Sequence, residues 1–466
     1  MSPPAERPPT ADLLDVPPIA AELGARFEKA GHELYLVGGA VRDGILRRDE
    51  LDNLDFATDA RPPQIIGILQ GWADSRYLIG VEYGTVGARK HGMTFEITTF
   101  REDVYREESR HPVVTFAKDI ETDLSRRDFT INAMAVRLPG AEFIDPHRGL
   151  LDLGRKTLRT PLDPEVSFSD DPLRMLRAAR FVSTLGLKPE PGLVAAIEGM
   201  HDRLAIISSE RIREELNRLL LGDHVERGLE MIVATGLADE FLPELPALRL
   251  EQDPVHRHKD VLRHTFAVVS KTEPRVLLRL AALLHDIGKP ATRQITPEGV
   301  QFHHHEVVGA RMAEERLRTL RYSEREIREV VRLVEMHLRF HTYRLGWSDS
   351  ALRRYVRDAG PLLDDLNALT RADCTTQNPK KARILSDLQD ELEERIARLA
   401  EQETLDNIKP PLDGTQVMQQ LDLRPGPLVG EALDYLLKLR LDRGPIEEEE
   451  ARRLLDEWAT QKGIRP

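Results

Sequence analysis

Two stretches of this 466-residue chain carry residue types that could do chemistry. The first reads Leu36-Val37-Gly38-Gly39-Ala40-Val41-Arg42-Asp43, and Asp55 follows in a second apolar stretch, Asn53-Leu54-Asp55-Phe56-Ala57. Paired glycines let a backbone come close to a phosphate, and the N–H groups that open a helix favour an anion. Asp55 stands where a metal-binding carboxylate would, so the two segments together could hold a triphosphate and its Mg²⁺. A plain strand–turn–helix accounts for the glycines equally well. The second stretch is Leu283-Leu284-His285-Asp286-Ile287-Gly288-Lys289, with His264 before it and Asp373 after it. Histidine mixed with carboxylate suits a transition metal or Mg²⁺. His305 and His337 are weaker candidates for extra ligands.

Two further segments bear on nucleotide binding. In Arg126-Arg127-Asp128-Phe129-Thr130-Ile131-Asn132, Arg127 and Asp128 stand at the entry to an apolar run. They read either as a helix cap beside a basic pair or as a grip on a ribose and triphosphate. Ser169-Asp170-Asp171-Pro172-Leu173-Arg174 is expected to open a helix, with acids at its start and proline in its first turn. Asp171 and Arg174 would then share a face with Arg177. That face is either an intrahelical salt bridge or a pair that meets the edge of a base. Basic residues bunch between Arg126 and Arg213, Arg180 among them, and Lys380-Lys381 with Arg383 form a later cluster.

Around these residues the hydrophobic pattern predicts a first helix over 19–30 and strands over 34–37, 54–57, 85–88 and 94–100. The last strand should put Phe95, Ile97 and Thr99 on one face and Glu96 and Thr98 on the other. The charged segment 101–118 reads as a long mobile loop. The β pattern fades after Pro161, and helices run to the C-terminus. Ser208 to Leu216 reads as a capped helix start with an amphipathic run behind it. The tail from Leu385 is acidic and helical.

Length gives a prior of two to four domains. The single Cys374 excludes a disulfide framework and a zinc ribbon and suits a reducing cytoplasm. No apolar run is long enough to cross a membrane, and the Pro-rich start, residues 1–10, reads as a disordered lead-in. The formal net charge of −13 has the wrong sign for a nucleic-acid binder, so contact with RNA must come from the local basic clusters.

With these motifs in view, residues 30–460 resemble the class II tRNA nucleotidyltransferases and the related bacterial poly(A) polymerases. Gly38-Gly39 with Arg42-Asp43 matches the phosphate-gripping motif, and Asn53-Leu54-Asp55 occupies the family's Asp-x-Asp metal position. Arg127 to Ala133, including Asp128 and Asn132, looks like the ribose and triphosphate motif. Asp145, Gly149 and Asp152-Leu153 are similar to the hinge between head and neck. Asp170-Asp171-Pro172-Leu173-Arg174 looks like the acid-acid-x-x-Arg template, steadied by Glu210-Arg211 with Glu214. His264, His285, Asp286 and Asp373 look like an HD phosphohydrolase site.

The resemblance implies an α+β chain shaped like a seahorse. A nucleotidyltransferase head with a mixed β-sheet (31–160) follows a lead-in (1–30). Then come an all-helical neck (161–250), an HD-type body (251–384) and a tail (385–466). It implies CCA addition to tRNA from CTP and ATP, with two Mg²⁺ ions held by carboxylates. Asp171 accepting from an exocyclic amine and Arg174 donating to a ring acceptor would select C and A together. One departure stands out: Asn53 replaces an acid, so the metal site loses a charge unless Glu96 or Asp52 takes over. On a strand, 53 and 55 share a face and 52 points away. Three alternatives stay open: a poly(A) polymerase or a CC- or A-only enzyme, an HD phosphohydrolase with a weakened head, and a non-catalytic tRNA-binding protein. The length of 101–118 argues against CC-only addition, because CC-adding members of the family are shortened there.

Overall fold

The computed structural model describes residue 14 and residues 16–48, 53–78, 81–104, 113–250, 260–297, 299–374, 378–403 and 408–464. Asp52 and the centre of the predicted loop, with His111-Pro112, lie outside the described residues. The chain divides into two compact units, Met1–Phe241 and Leu242–Pro466.

The first unit is built on a seven-stranded mixed sheet. Its strands are β1 (Leu34–Val37), β2 (Asn53–Thr58), β3 (Ser75–Tyr77), β4 (Thr85–Lys90), β5 (Met93–Thr99), β8 (Ala135–Leu138) and β9 (Glu142–Ile144). The spatial order is β3-β4-β5-β2-β1-β8-β9. A separate two-stranded hairpin joins β6 (Arg101–Val104) to β7 (Val113–Phe116). This corrects the expectation of a loop over 101–118, because both of its ends are paired strand. The four predicted strands fall within a residue or two of β1, β2, β4 and β5. The missed β3, β8 and β9 are three or four residues long, too short for a period to declare itself.

Strand β1 is buried along its whole length, as a central strand covered on both faces must be. Tyr35 and Val37 pack with Ala57, Phe100, Ile120 and Leu124. On the other side the helix Pro18–Lys29 buries Leu23 and Phe27. A Cβ on Gly24 of that helix would stand 2.4 Å from the Leu138 Cβ, so the glycine sets how closely helix and sheet approach. Along β5, Phe95, Ile97 and Thr99 are buried and Glu96 is exposed, as the alternation predicts.

Helices follow. Pro164–Asp170 ends where the sequence suggests a start, and the next helix, Leu173–Leu185, begins after Pro172. Asp170 therefore closes one helix, while Asp171 stands at the start of the next, its side chain accepting from the Leu173 N–H. Proline disfavours the α conformation in the residue before it, and Asp171 is extended, with φ −142° and ψ 101°. Ser208 is the N-cap of Ser209–Leu220, but its side chain makes no capping hydrogen bond. Among its described residues the second unit is helical apart from a hairpin, Arg293–Thr296 with Gly299–Phe302. Its last three helices close on a core of Leu412, Val417, Leu436, Leu455 and Trp458.

Candidate active site and metal centre

In the first unit the turn after β1 carries Gly38 at φ +69°, where a side chain is strained. A Cβ there would also lie 2.8 Å from Arg127 Nη1, so the glycine admits a guanidinium against the turn. The helix that follows, Gly39–Ile45, has only seven residues. Its macrodipole is correspondingly weak, so the phosphate reading rests on the bare turn and Arg127 rather than on the helix start.

One strand over, Asn53 and Asp55 are exposed on β2 while Leu54 between them is buried, so the two do share a face. The parallel register places Asn53 opposite Thr94 and Asp55 opposite Glu96. Burial pushes the Asp55 carboxyl up; Arg127 pulls it back and Glu96 adds to the rise. Two carboxylates side by side on an exposed face make a patch of negative potential that favours a hard cation. The donor set of Asp55, Glu96 and the Asn53 amide oxygen thus fits Mg²⁺, one charge poorer than three acids would be.

Behind this face runs a web of ion pairs. Arg42 donates to Asp43 at 2.9 and 2.6 Å and also to Asn132 Oδ1. Asn132 Nδ2 donates to Asp128 Oδ1 at 2.9 Å, and Arg177 Nη2 lies 2.6 Å from Asp128 Oδ2. Burial opposes the charge on Asp128, but Arg177 and the Asn132 bond outweigh it and hold the carboxyl below the usual range. Arg180 pairs with Glu215 at 2.6 Å and stacks over Phe181. Burial nevertheless pulls its guanidinium down to about 10.

The predicted base-reading pair is placed differently from a helix-face pair. Asp171 sits between two helices, bonded to the Leu173 N–H and to Arg211 at 2.8 Å. Arg174 is buried, donating to Ser167 Oγ at 2.9 Å and to the Arg126 carbonyl at 2.6 Å. Its guanidinium is thus turned onto the palm's own backbone.

At the predicted hinge, Asp145 accepts from the N–H groups of Gly149 and Leu150, and Asp152 accepts from Thr130 and Arg159. Two acids escaped the sequence reading. Glu215, rather than the exposed Glu214, is the buried partner of Arg180. It shares the buried stripe of Ile212, Leu216 and Leu219, a spacing that could have revealed it. Asp123 is the other, and it sits beneath Arg126 and Arg127.

The second unit brings together side chains from five helical segments. His264 Nε2 lies 2.9 Å from Asp373 Oδ1 and 3.5 Å from Asp286 Oδ2. His285 Nε2 lies 3.1 Å from Asp286 Oδ2, and His305 Nε2 lies 3.3 Å from Asp286 Oδ1. Among the described residues, two groups could hold a metal ion: His264, His285 and Asp286; and Asp286, His305 and His337. All four predicted ligands therefore meet, and His305 and His337 join them. His303 and His304 are exposed and do not.

The rings are pre-oriented. Nδ1 of His285, His305 and His337 each faces a backbone carbonyl three residues back, at 2.6 to 2.8 Å. Donation there leaves each Nε2 as a lone pair pointing inward, the usual outer bond of a metal-bound histidine. His337 Nε2 is buried without a hydrogen-bond partner. Burial and the neighbouring His285 push that ring down to about 3, so it is neutral and free to ligate. Asp286 and Asp373 are held well below the carboxylate range: burial opposes this, but the surrounding histidines, with Lys289 beside Asp286, prevail. The residues present fit a divalent metal. At the rim, Lys289 Nζ lies 2.7 Å from Asp286, and the more exposed His341 lies 3.6 Å from Asp373.

Comparison with known proteins gives these sites a family. Residues 34–159 match the poly A polymerase head domain, residues 186–248 a probable RNA and SrmB-binding site of polymerase A, and residues 259–401 the HD domain. The chain is 36% identical over 374 residues to an A-adding tRNA nucleotidyltransferase of Deinococcus radiodurans, covering 76% of this chain and 83% of that one. A CCA-adding enzyme of Limosilactobacillus reuteri is 43% identical over 213 residues, 46% of this chain and 51% of that enzyme. The sequence match thus covers about half the length of that CCA-adding relative.

Among solved structures, the Bacillus stearothermophilus CCA-adding enzyme in complex with CTP superposes with a TM-score of 0.71 at 25% identity, covering 96% of this chain and 99% of that one. The Thermotoga maritima enzyme complexed with tRNA, at 18% identity and a TM-score of 0.58, shares the fold. The identity to the Deinococcus protein extends over most of both chains, and the chain belongs to the tRNA nucleotidyltransferase family.

Proposed function

We propose that the chain adds CCA to the 3′ end of tRNA from CTP and ATP without a nucleic-acid template. The observation that carries this reading is the Arg127 guanidinium against the bare Gly38 turn, one strand from Asp55 and two from Glu96. A triphosphate has somewhere to bind, and the carboxylates that would hold its metal are adjacent. Mg²⁺ bound by Asp55, Glu96 and Asn53 would neutralise the phosphates and activate the tRNA hydroxyl. The protein's own part is positioning. Gly38 and Gly39 admit the phosphates; Arg42, Asp43, Asp128 and Asn132 fix the head side; Arg177 joins it to the neck through Asp128, Arg180 braces that helix against Glu215, and Asp171 and Arg174 would choose the base.

In this reading the head is 31–160 after a lead-in of 1–30. The neck is 161–250, the HD body 251–384 and the tail 385–466. Such an enzyme works in the cytoplasm. No helix among the described residues is long and apolar enough to cross a membrane.

A second reading, addition of the terminal A alone, is favoured by one observation. The relative aligned over most of its length is named A-adding, whereas the CCA-adding relatives align over about half of theirs. One assay separates the two. tRNAs ending before CCA, after CC and after CCA are incubated with labelled CTP and ATP, and the added length is read. CCA addition extends the first by three residues; A addition extends only the second; no extension of either overturns both.

The histidine cluster supports an additional activity, metal-dependent hydrolysis of a 2′,3′-cyclic phosphate or a small phosphomonoester. A transition metal or Mg²⁺ there would supply a bound hydroxide as nucleophile. His264, His285, Asp286 and Asp373 would hold it, with His305 and His337 extending the ligand set.

A further inference from the structure

Asp123 is 1% exposed. Its two oxygens take donors from three places. Oδ1 accepts from the Arg101 backbone N–H at 3.2 Å, where the hairpin of β6 and β7 leaves the sheet. The same oxygen accepts from Arg126 Nε and Nη2, at 3.2 and 2.8 Å. Oδ2 accepts from Arg127 Nη2 at 3.1 Å. Taking a carboxylate out of water is costly, and two guanidinium groups with a backbone N–H offset that cost.

The far ends of these contacts matter more than the contacts themselves. Arg127 spends one terminal nitrogen on Asp123 and turns the other to the Gly38 turn. The Arg126 carbonyl is where Arg174 docks. One buried carboxylate therefore touches the root of the hairpin, the arginine on the glycine turn and the residue whose backbone anchors the neck.

We propose that Asp123 is a positioning residue for nucleotidyl transfer, fixing Arg127 where the nucleotide's phosphates bind and tying it to the root of the β6–β7 hairpin. This rests on Arg127 being a phosphate contact, as proposed above. A carboxylate that only caps its own helix would need no guanidinium. This one engages two consecutive arginines through different oxygens, which fixes the direction of each.

The test is nucleotide binding by the full chain, measured by titration calorimetry with CTP and with CMP. Asp123→Asn keeps the size and the acceptor for Arg101 but loses the charge. It should weaken CTP by at least ~10-fold, the loss of about one charge-assisted contact, and leave CMP nearly unchanged. Asp123→Glu, which keeps the charge and moves it, should show the same selective loss and serves if the asparagine variant fails to fold. In an Arg127→Ala background, either change should add little. Equal weakening of CTP and CMP, or effects of Asp123 and Arg127 that simply multiply, overturns the proposal. If Arg127→Ala itself binds CTP normally, the phosphate reading of Arg127 fails, and that variant alone reveals it.

Discussion

At the scale of single residues, the charge on β2 is expected to set the rate of turnover. Asn53 faces the same side as Asp55 and offers one neutral oxygen where the family has an acid. Nucleotide and tRNA affinity should therefore be near normal while the chemical step is slow. Asn53→Asp is expected to raise the rate by at least ~100-fold, or about 2.7 kcal/mol of barrier, measured at saturating Mg²⁺. Equal rates would mean that Glu96, already opposite Asp55, completes the site. Arg174→Ala should erode the choice of CTP and ATP over UTP and GTP by ~1–3 kcal/mol. Single-turnover rates with each nucleotide check this, and unchanged preference would leave Arg174 the purely structural role its bonds to Ser167 and Arg126 describe.

Asp128 gives a pH dependence with a definite sign. Arg177 and Asn132 hold its folded-state value below the ordinary one against the cost of burial. A depressed acid contributes stability above its unfolded value, about 3.9, and loses it as pH falls through the folded value. The Tm gap between the wild type and Asp128→Asn should be widest near neutrality and narrow below about pH 4. A gap that does not change with pH would show that the charge is immaterial.

At the scale of elements, close approach and interruption shape the site. The helix Gly149–Gly154 lies against the Thr130–Asn132 turn so tightly that a Cβ on Gly149 would meet the Thr130 carbonyl at 2.1 Å. Backbone cannot swing aside as a side chain can. Gly149→Ala should thus cost ~1–3 kcal/mol of overpacking, seen as a lower Tm, and should weaken nucleotide binding through the displaced turn. A wild-type Tm would show that the helix is free to shift. Pro172 acts by interruption, parting two helices so that Asp171 reaches Arg211 instead of lying along the face of Arg174.

At the scale of the whole molecule, the two proposed chemistries fall in separate compact units. The proposed nucleotide-binding residues fall within Met1–Phe241 and the histidine cluster within Leu242–Pro466. His285→Ala should abolish phosphoester hydrolysis and metal retention while leaving nucleotide addition intact. Metal content by atomic absorption and the two assays side by side decide it, and retained hydrolysis would place the activity elsewhere. The excess of acid in the chain, −13 formally, also predicts that tRNA binding falls steeply with salt, because only the local basic clusters attract the backbone.

The sequence by itself determined what depends on neighbours along the chain. The strand ends, the glycine turn, the shared face of Asn53 and Asp55 and the alternation of β5 follow from local sterics and a two-residue period, and all were legible. So were the types and order of the histidine centre, since His-Asp at the end of an apolar helix is a local signal. Tertiary structure decided which distant groups meet. Asp123 looks like an ordinary helix acid until the Arg101 N–H reaches it from the hairpin, and Glu215 does until Arg180 arrives from the neighbouring helix. His305 and His337 are lone histidines until packing turns their rings toward Asp286. Burial sets the outcome in each case. A buried charge or lone pair must find its complement, and that complement is chosen by how the elements pack, which no local period encodes.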